Sequence, residues 1–104
     1  MRKIDVFNHI FPKRYVDRMS DLAATMKDVG KRVRGVPMLV DLDVRFEIMG
    51  AHPEYQQILS IATPPVDAYA NPADALDLAQ RGNDGMAELV RLYPDRFPGF
   101  IASL

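Results

Sequence analysis

Three short apolar runs, at residues 2–7, 56–62 and 99–104, are separated by connections far too long for hairpins, and this feature constrains the fold most. Adjacent antiparallel strands are joined by two to five residues, whereas parallel neighbours need a crossover of a dozen or more residues, usually a helix. Both connections carry helical periodicity. The chain therefore reads as α/β, a parallel sheet built from right-handed crossovers, with every strand pointing the same way.

The first run, Ile4 to Phe7, is β-branched and aromatic, as a buried strand requires, and ends in Asn8-His9 before Pro12. From Lys13, apolar residues Tyr15, Met19, Leu22, Ala23 and Met26 recur at three- and four-residue spacing, predicting a helix that ends before Gly30. Lys31 to Pro37 is basic, flanked by glycines and aperiodic, and reads as a loop or the edge of a small insertion. Asp41 is placed to cap a short helix with Val44, Ile48 and Met49 inward and Gly50 at its end. Thr63-Pro64-Pro65 stops the second strand, and Asn71-Pro72 is a cap followed by a proline at the first helical position. The long helix that follows runs to Leu92 or Tyr93, with Gly82 and Gly85 as weak or close-packing points. Phe97-Pro98-Gly99 then leads into the third strand.

Composition narrows the function. With 48% hydrophobic residues and a net charge of −1, the chain is an ordinary globular domain without the basic surface that nucleic acid demands. No apolar run approaches the ~20 residues of a membrane span, and the N-terminus lacks a signal-peptide pattern. Zero cysteines exclude disulfides, thiolate catalysis and thiolate-held metals, and agree with a cytoplasmic location. Any metal must rest on His, Asp or Glu.

In parallel sheets, chemistry gathers at the carboxyl ends of strands. Asn8 and His9 after the first strand and Thr63 after the second share that edge. His9 can bind a metal or move a proton near neutral pH, or it can be a hydrogen-bonding loop residue. His52, between a helix end and Pro53, suits a surface loop, and the methionines at helical spacing fill the core.

The stretch Ile4-Asp5-Val6-Phe7-Asn8-His9-Ile10-Phe11-Pro12 resembles the first strand of the amidohydrolase superfamily, in the branch of aminocarboxymuconate-semialdehyde and resorcylate-type decarboxylases. Asp41-x-x-x-Arg45-x-x-x-Met49 resembles that branch's helix before strand two, and Ile58-Leu59-Ser60 the strand itself. Ala79-x-Arg81-x-Asn83-Asp84, Pro94-x-Arg96-Phe97 and Gly99-Phe100 are similar to its next helix and third strand, while Met26 to Pro37 matches poorly.

The resemblance implies a distorted (β/α)8 barrel of which residues 1–104 form a single N-terminal portion, inactive alone. It implies a divalent metal, zinc first and manganese second, held by a His-x-His pair on strand one, a histidine from a middle strand and an aspartate from the last. His9 matches the second histidine of the pair, but Phe7 stands where the first belongs and cannot ligate. The implied activity is decarboxylation, or hydrolysis, of a small carboxylated or cyclic substrate. Within that frame Asn8 is a substrate contact or a turn former, Thr63 a pocket wall, and Arg34 a carboxylate clamp or a solvated loop residue. Arg45 is a substrate-carboxylate partner or a helix-surface or interhelix salt bridge, and Asn83-Asp84 is structural. The implied partners are the small-molecule substrate and either further copies of the chain or the rest of the barrel, with neither nucleic acid nor membrane. The rival reading is a non-catalytic interaction module built from a truncated or degenerate barrel, which Phe7 favours.

Overall fold

The computed structural model describes residues 1–22, 35–61 and 71–103. The elements follow one another as β1 (Lys3–Asp5), α1 (Lys13–Ser20), a 3-10 turn (Pro37–Leu39), α2 (Leu42–Gly50), β2 (Tyr55–Leu59), α3 (Pro72–Leu92) and β3 (Gly99–Phe100). The three strands form one parallel sheet in the order β1-β2-β3. Lys3 pairs with Tyr55 and Asp5 with Gln57, while Ile58 pairs with Gly99 and Leu59 with Phe100.

The helix starts follow the capping chemistry of the sequence. Asp41 Oδ1 accepts from the backbone N–H of Asp43 (2.9 Å) and Val44 (3.2 Å), and Asn71 Oδ1 accepts from that of Asp74 (2.9 Å). Each bond satisfies a donor that the first helical turn leaves without a partner. On α1, Tyr15 and Met19 are buried as their spacing predicts, and they pack with Phe11, Leu78 and Ala79 between α1 and α3. The continuation toward Gly30 lies outside the described residues.

Gly82 and Gly85 are close-packing points. A Cβ on Gly85 would sit 2.5 Å from Pro12 Cβ, and one on Gly82 would meet Ile61 at 3.0 Å and Tyr15 at 3.2 Å. A second cluster joins Ile10, Met49, Leu59, Met86, Leu89 and Phe97, with Phe46 and Phe100 against it.

Several expectations need correction. The strands are shorter than 2–7, 56–62 and 99–104, although Ala62 and Leu104 lie outside the described residues. Strand β1 is not buried: Ile4, Val6 and Phe7 are exposed. Side chains alternate across a sheet, so Tyr55, Gln57 and Leu59 face the helices while Ile4 faces the other way. On that second face Ile4 is exposed, whereas Gln56 beside it is buried and donates from Nε2 to Asp95 O at 2.9 Å.

On α2 the buried residues are Arg45 and Met49, not Val44 and Ile48, and Ile48 is half-exposed. Ile48 lies on the outer side because Arg45 and Met49, one turn apart, set the buried face. Among the described residues no helix is long and apolar enough to cross a membrane.

Candidate functional site

The sheet register does not run smoothly through the end of β1. Asp5 pairs with Gln57, and Ile10 then bridges Ile61 in the same parallel sense, so β1 carries one more residue than β2 between the two pairings. This is a one-residue bulge, and a bulge re-aims the side chains it carries. The chain rejoins the sheet where Ile10 N–H donates to Ser60 O at 2.9 Å, with Ile10 buried. Asn8 and His9 form the corner between these anchors, at the carboxyl edge beside Ser60.

The Asn8 amide and the Ser60 hydroxyl hold the corner. Asn8 Nδ2 donates to Ile58 O (2.7 Å) and Asp5 O (3.2 Å), the bonding of a turn-forming asparagine. Ser60 Oγ donates to Asn8 O at 2.7 Å and lies 3.1 Å from His9 Nδ1. A hydroxyl has one hydrogen, and giving it to Asn8 O makes Oγ an acceptor toward the ring. His9 Nδ1 therefore carries the proton, and in the neutral ring Nε2 keeps the lone pair that can take a proton or a metal. The Phe7 ring lies edge-on to the imidazole at 5.2 Å and is itself 83% exposed.

Beneath the corner lies Arg45, with no exposed surface. Its Nη1 donates to Gln57 Oε1 (2.6 Å) and Asn8 Oδ1 (3.4 Å), its Nη2 to His9 O (2.5 Å) and its Nε to Met38 O (3.2 Å). The expected surface salt bridge is replaced by a buried guanidinium among neutral acceptors. Burial pushes its pKa down to about 10, against the opposing pull of Tyr55 and Asp5, so it stays charged at neutral pH. Tyr55 OH donates to Asp5 Oδ2 at 2.6 Å, which raises the phenol's pKa, with burial adding to the effect.

Of the residues singled out in the sequence, the fold brings Asn8 and His9 together, while Arg34 and Thr63 lie outside the described residues. Asn83 bonds to both the O and the N–H of Ser103 at 2.8 Å, which fastens α3 to the chain beyond β3. His52 is exposed after α2. Ser60, Gln57 and the burial of Arg45 were missed. The spacing of Arg45 one turn before the buried Met49 was the available signal, because i and i+4 share a helix face.

No group of three His, Cys, Asp or Glu side chains that could hold a metal occurs among the described residues. The corner alone therefore does not fit a complete metal site, and offers one donor, His9 Nε2.

No family model matches the chain. Curated relatives do. The gamma-resorcylate decarboxylase of Rhodococcus jostii is 43% identical over 65 residues, 62% of this chain and 20% of that protein. Its counterpart from Rhizobium radiobacter is 40% identical over the same length. The 2-amino-3-carboxymuconate-6-semialdehyde decarboxylase of Dictyostelium discoideum is 33% identical over 112 aligned positions, 93% of this chain and 31% of that protein. The chain thus spans a fifth to a third of the length of these relatives. It is homologous to a portion of the decarboxylases of the amidohydrolase superfamily, the branch to which its strand and helix motifs pointed.

Proposed function

We propose that this chain supplies the first strands of a (β/α)8-type barrel whose activity is the decarboxylation of a small carboxylated substrate. The observation that carries this reading is the bulged corner of β1, where His9 keeps a free Nε2 lone pair at the carboxyl edge of a parallel sheet. The similarity to two kinds of decarboxylase supports carbon–carbon cleavage ahead of hydrolysis. Loss of carbon dioxide leaves an electron pair on carbon that must be stabilised and then protonated. No residue of this chain is assigned that proton transfer.

We further propose that His9 is one donor to a divalent metal, zinc before manganese, whose remaining ligands come from outside these residues. A metal-ligating histidine normally fixes its other ring nitrogen with a hydrogen bond, as His9 Nδ1 does to Ser60 Oγ.

The test is carbon dioxide release from gamma-resorcylate and from 2-amino-3-carboxymuconate-6-semialdehyde by the complete protein containing this chain. Turnover of either, reduced by about 100-fold or more in His9→Ala, is the expected result. A folded protein that turns over neither compound overturns the reading.

The exposed Phe7 in the first ligand position favours a second reading, a non-catalytic module that binds a partner through the end of the sheet where Ile4 and Phe7 are exposed. Elemental analysis separates the two. Near-stoichiometric zinc or manganese that falls in His9→Ala supports the enzyme, and a metal-free protein supports the module.

A further inference from the structure

We propose that Arg45 is a positioning residue for His9, setting the imidazole's tautomer and orientation through the backbone of the corner. As far as His9 serves the decarboxylase reading above, this inference rests on it.

A bulge is the part of a sheet that ladder hydrogen bonds do not specify, since its extra residue has no partner across the strand. Its conformation must come from elsewhere. Arg45 donates to two consecutive corner residues, at Asn8 Oδ1 and His9 O, and is itself held by Gln57 Oε1 on β2 and Met38 O on the 3-10 turn. A guanidinium is a planar fork whose donor directions are fixed relative to one another. Once Gln57 and Met38 orient that plane, the positions of Asn8 Oδ1 and His9 O are set with it.

The consequence reaches the ring in two steps. The carbonyl of Asn8 accepts the Ser60 hydroxyl hydrogen, and that bond turns Ser60 Oγ into an acceptor for His9 Nδ1–H. If the corner shifts, Ser60 loses its acceptor at Asn8 O. The hydroxyl is then free to donate to Nδ1 instead, and the neutral ring can carry its proton on Nε2. Arg45 thus reaches the reactive nitrogen without touching it.

The test uses Arg45→Lys and Arg45→Met in the complete protein, with two readouts. Nitrogen-15 NMR of the His9 ring, recorded after a chelator has stripped divalent metal so that no cation holds Nε2, reports which nitrogen carries the proton, with Ser60→Ala as the reference for a ring without its acceptor. Turnover is measured as carbon dioxide release. Lysine keeps the charge but loses the fork, so both variants should move the His9 signals from a single Nδ1–H tautomer toward the Ser60→Ala reference. They should also lower kcat by about 10-fold or more, with KM within about twofold.

Unchanged His9 ring signals in both variants overturn the proposal, whatever happens to turnover. Global loss of structure in both variants, seen as loss of the Gly82 and Gly85 signals on α3, also overturns it, because Arg45 would then be a general core residue. A shifted tautomer in a protein that decarboxylates neither compound supports the positioning role and counts against the decarboxylase reading alone.

Discussion

Two arginines show two ways in which this chain joins its elements. Arg18, on α1, reaches across to α3, where Nε donates to Asp77 Oδ2 at 2.7 Å and Nη2 to Asp74 Oδ1 at 3.0 Å. Arg81 donates to the other oxygen of Asp77 at 2.9 Å. Arg45, under the β1 corner, has only neutral acceptors among its hydrogen bonds and no contact with water.

The electrostatics run in opposite directions. The hydrogen bond with Asp77 raises the Arg18 pKa, whereas burial lowers that of Arg45. At the α1–α3 seam, water screens the charges and can replace any lost partner. At the corner, Arg45 has no exposed surface and its bond to Gln57 is buried, so a lost guanidinium leaves acceptors without an equivalent donor. The seam should therefore tolerate loss of its charge pairs, and the corner should not tolerate loss of its arginine.

The largest effect is expected from Arg45→Met. Removing the fork strands four buried or part-buried acceptors, and stability should fall by about 3 kcal/mol. Urea denaturation of this variant beside Arg18→Met measures the contrast directly, and equal losses would break it.

Next is Gly85→Ala, which asks whether the seam depends on close approach rather than on charge. The new methyl would lie 2.5 Å from the ring of Pro12, which cannot rotate away. A loss of about 2 kcal/mol is expected from this overpacking, net of the roughly 1 kcal/mol by which alanine favours a helix interior. Gly50→Ala is the control, since nothing lies within 4 Å of a Cβ there. Thermal unfolding should show the first variant destabilised and the second unchanged or slightly stabilised.

Asp41→Ala should cost about 1 kcal/mol by removing the cap of α2, the helix that carries Arg45. If that helix holds the corner, the backbone amide resonances of Asn8 and His9 should shift as well. Amides that stay in place while the helix loosens would uncouple the cap from the corner.

The smallest effect belongs to the seam's charges. Arg18→Met should cost less than any of the preceding variants and should lose most of its effect at high salt. The Asp77 carboxyl is held below its ordinary value of 3.8, chiefly by Arg18 and then by Arg81. Its contribution is complete above that ordinary value and is lost as pH falls through the lower, folded value. Unfolding of the native protein and of Asp77→Asn should therefore differ at pH 6 and converge in acid. A difference that persists in acid would mean that Asp77 acts through packing rather than charge.

Much of the frame was legible in the residues because it depends on short-range rules. The length of the connections dictated parallel strands, Asp41 and Asn71 marked helix starts, and Tyr15 and Met19 marked a buried stripe. The glycines of α3 were recognisable as close-packing points, and only the fold showed that Pro12 and Tyr15 are what they pack against. Of the corner, His9 and Asn8 were identifiable from their place after an apolar run, whereas Ser60 looked like an ordinary strand residue.

What the sequence determined by itself is therefore the order and direction of the elements, their caps and the residue to watch at the first strand's end. Tertiary structure alone decided that β1 is bulged and exposed on one face, that Ser60 sets the tautomer of His9, and that Arg45 is buried. The reason is the range of the interactions. Caps and helical stripes are settled within a few residues, but the acceptors of Arg45 at Asn8 and His9 lie 37 and 36 residues away along the chain. The spacing to Met49 puts Arg45 on the inner face of its helix, but no local pattern shows which acceptors a charged side chain will find there.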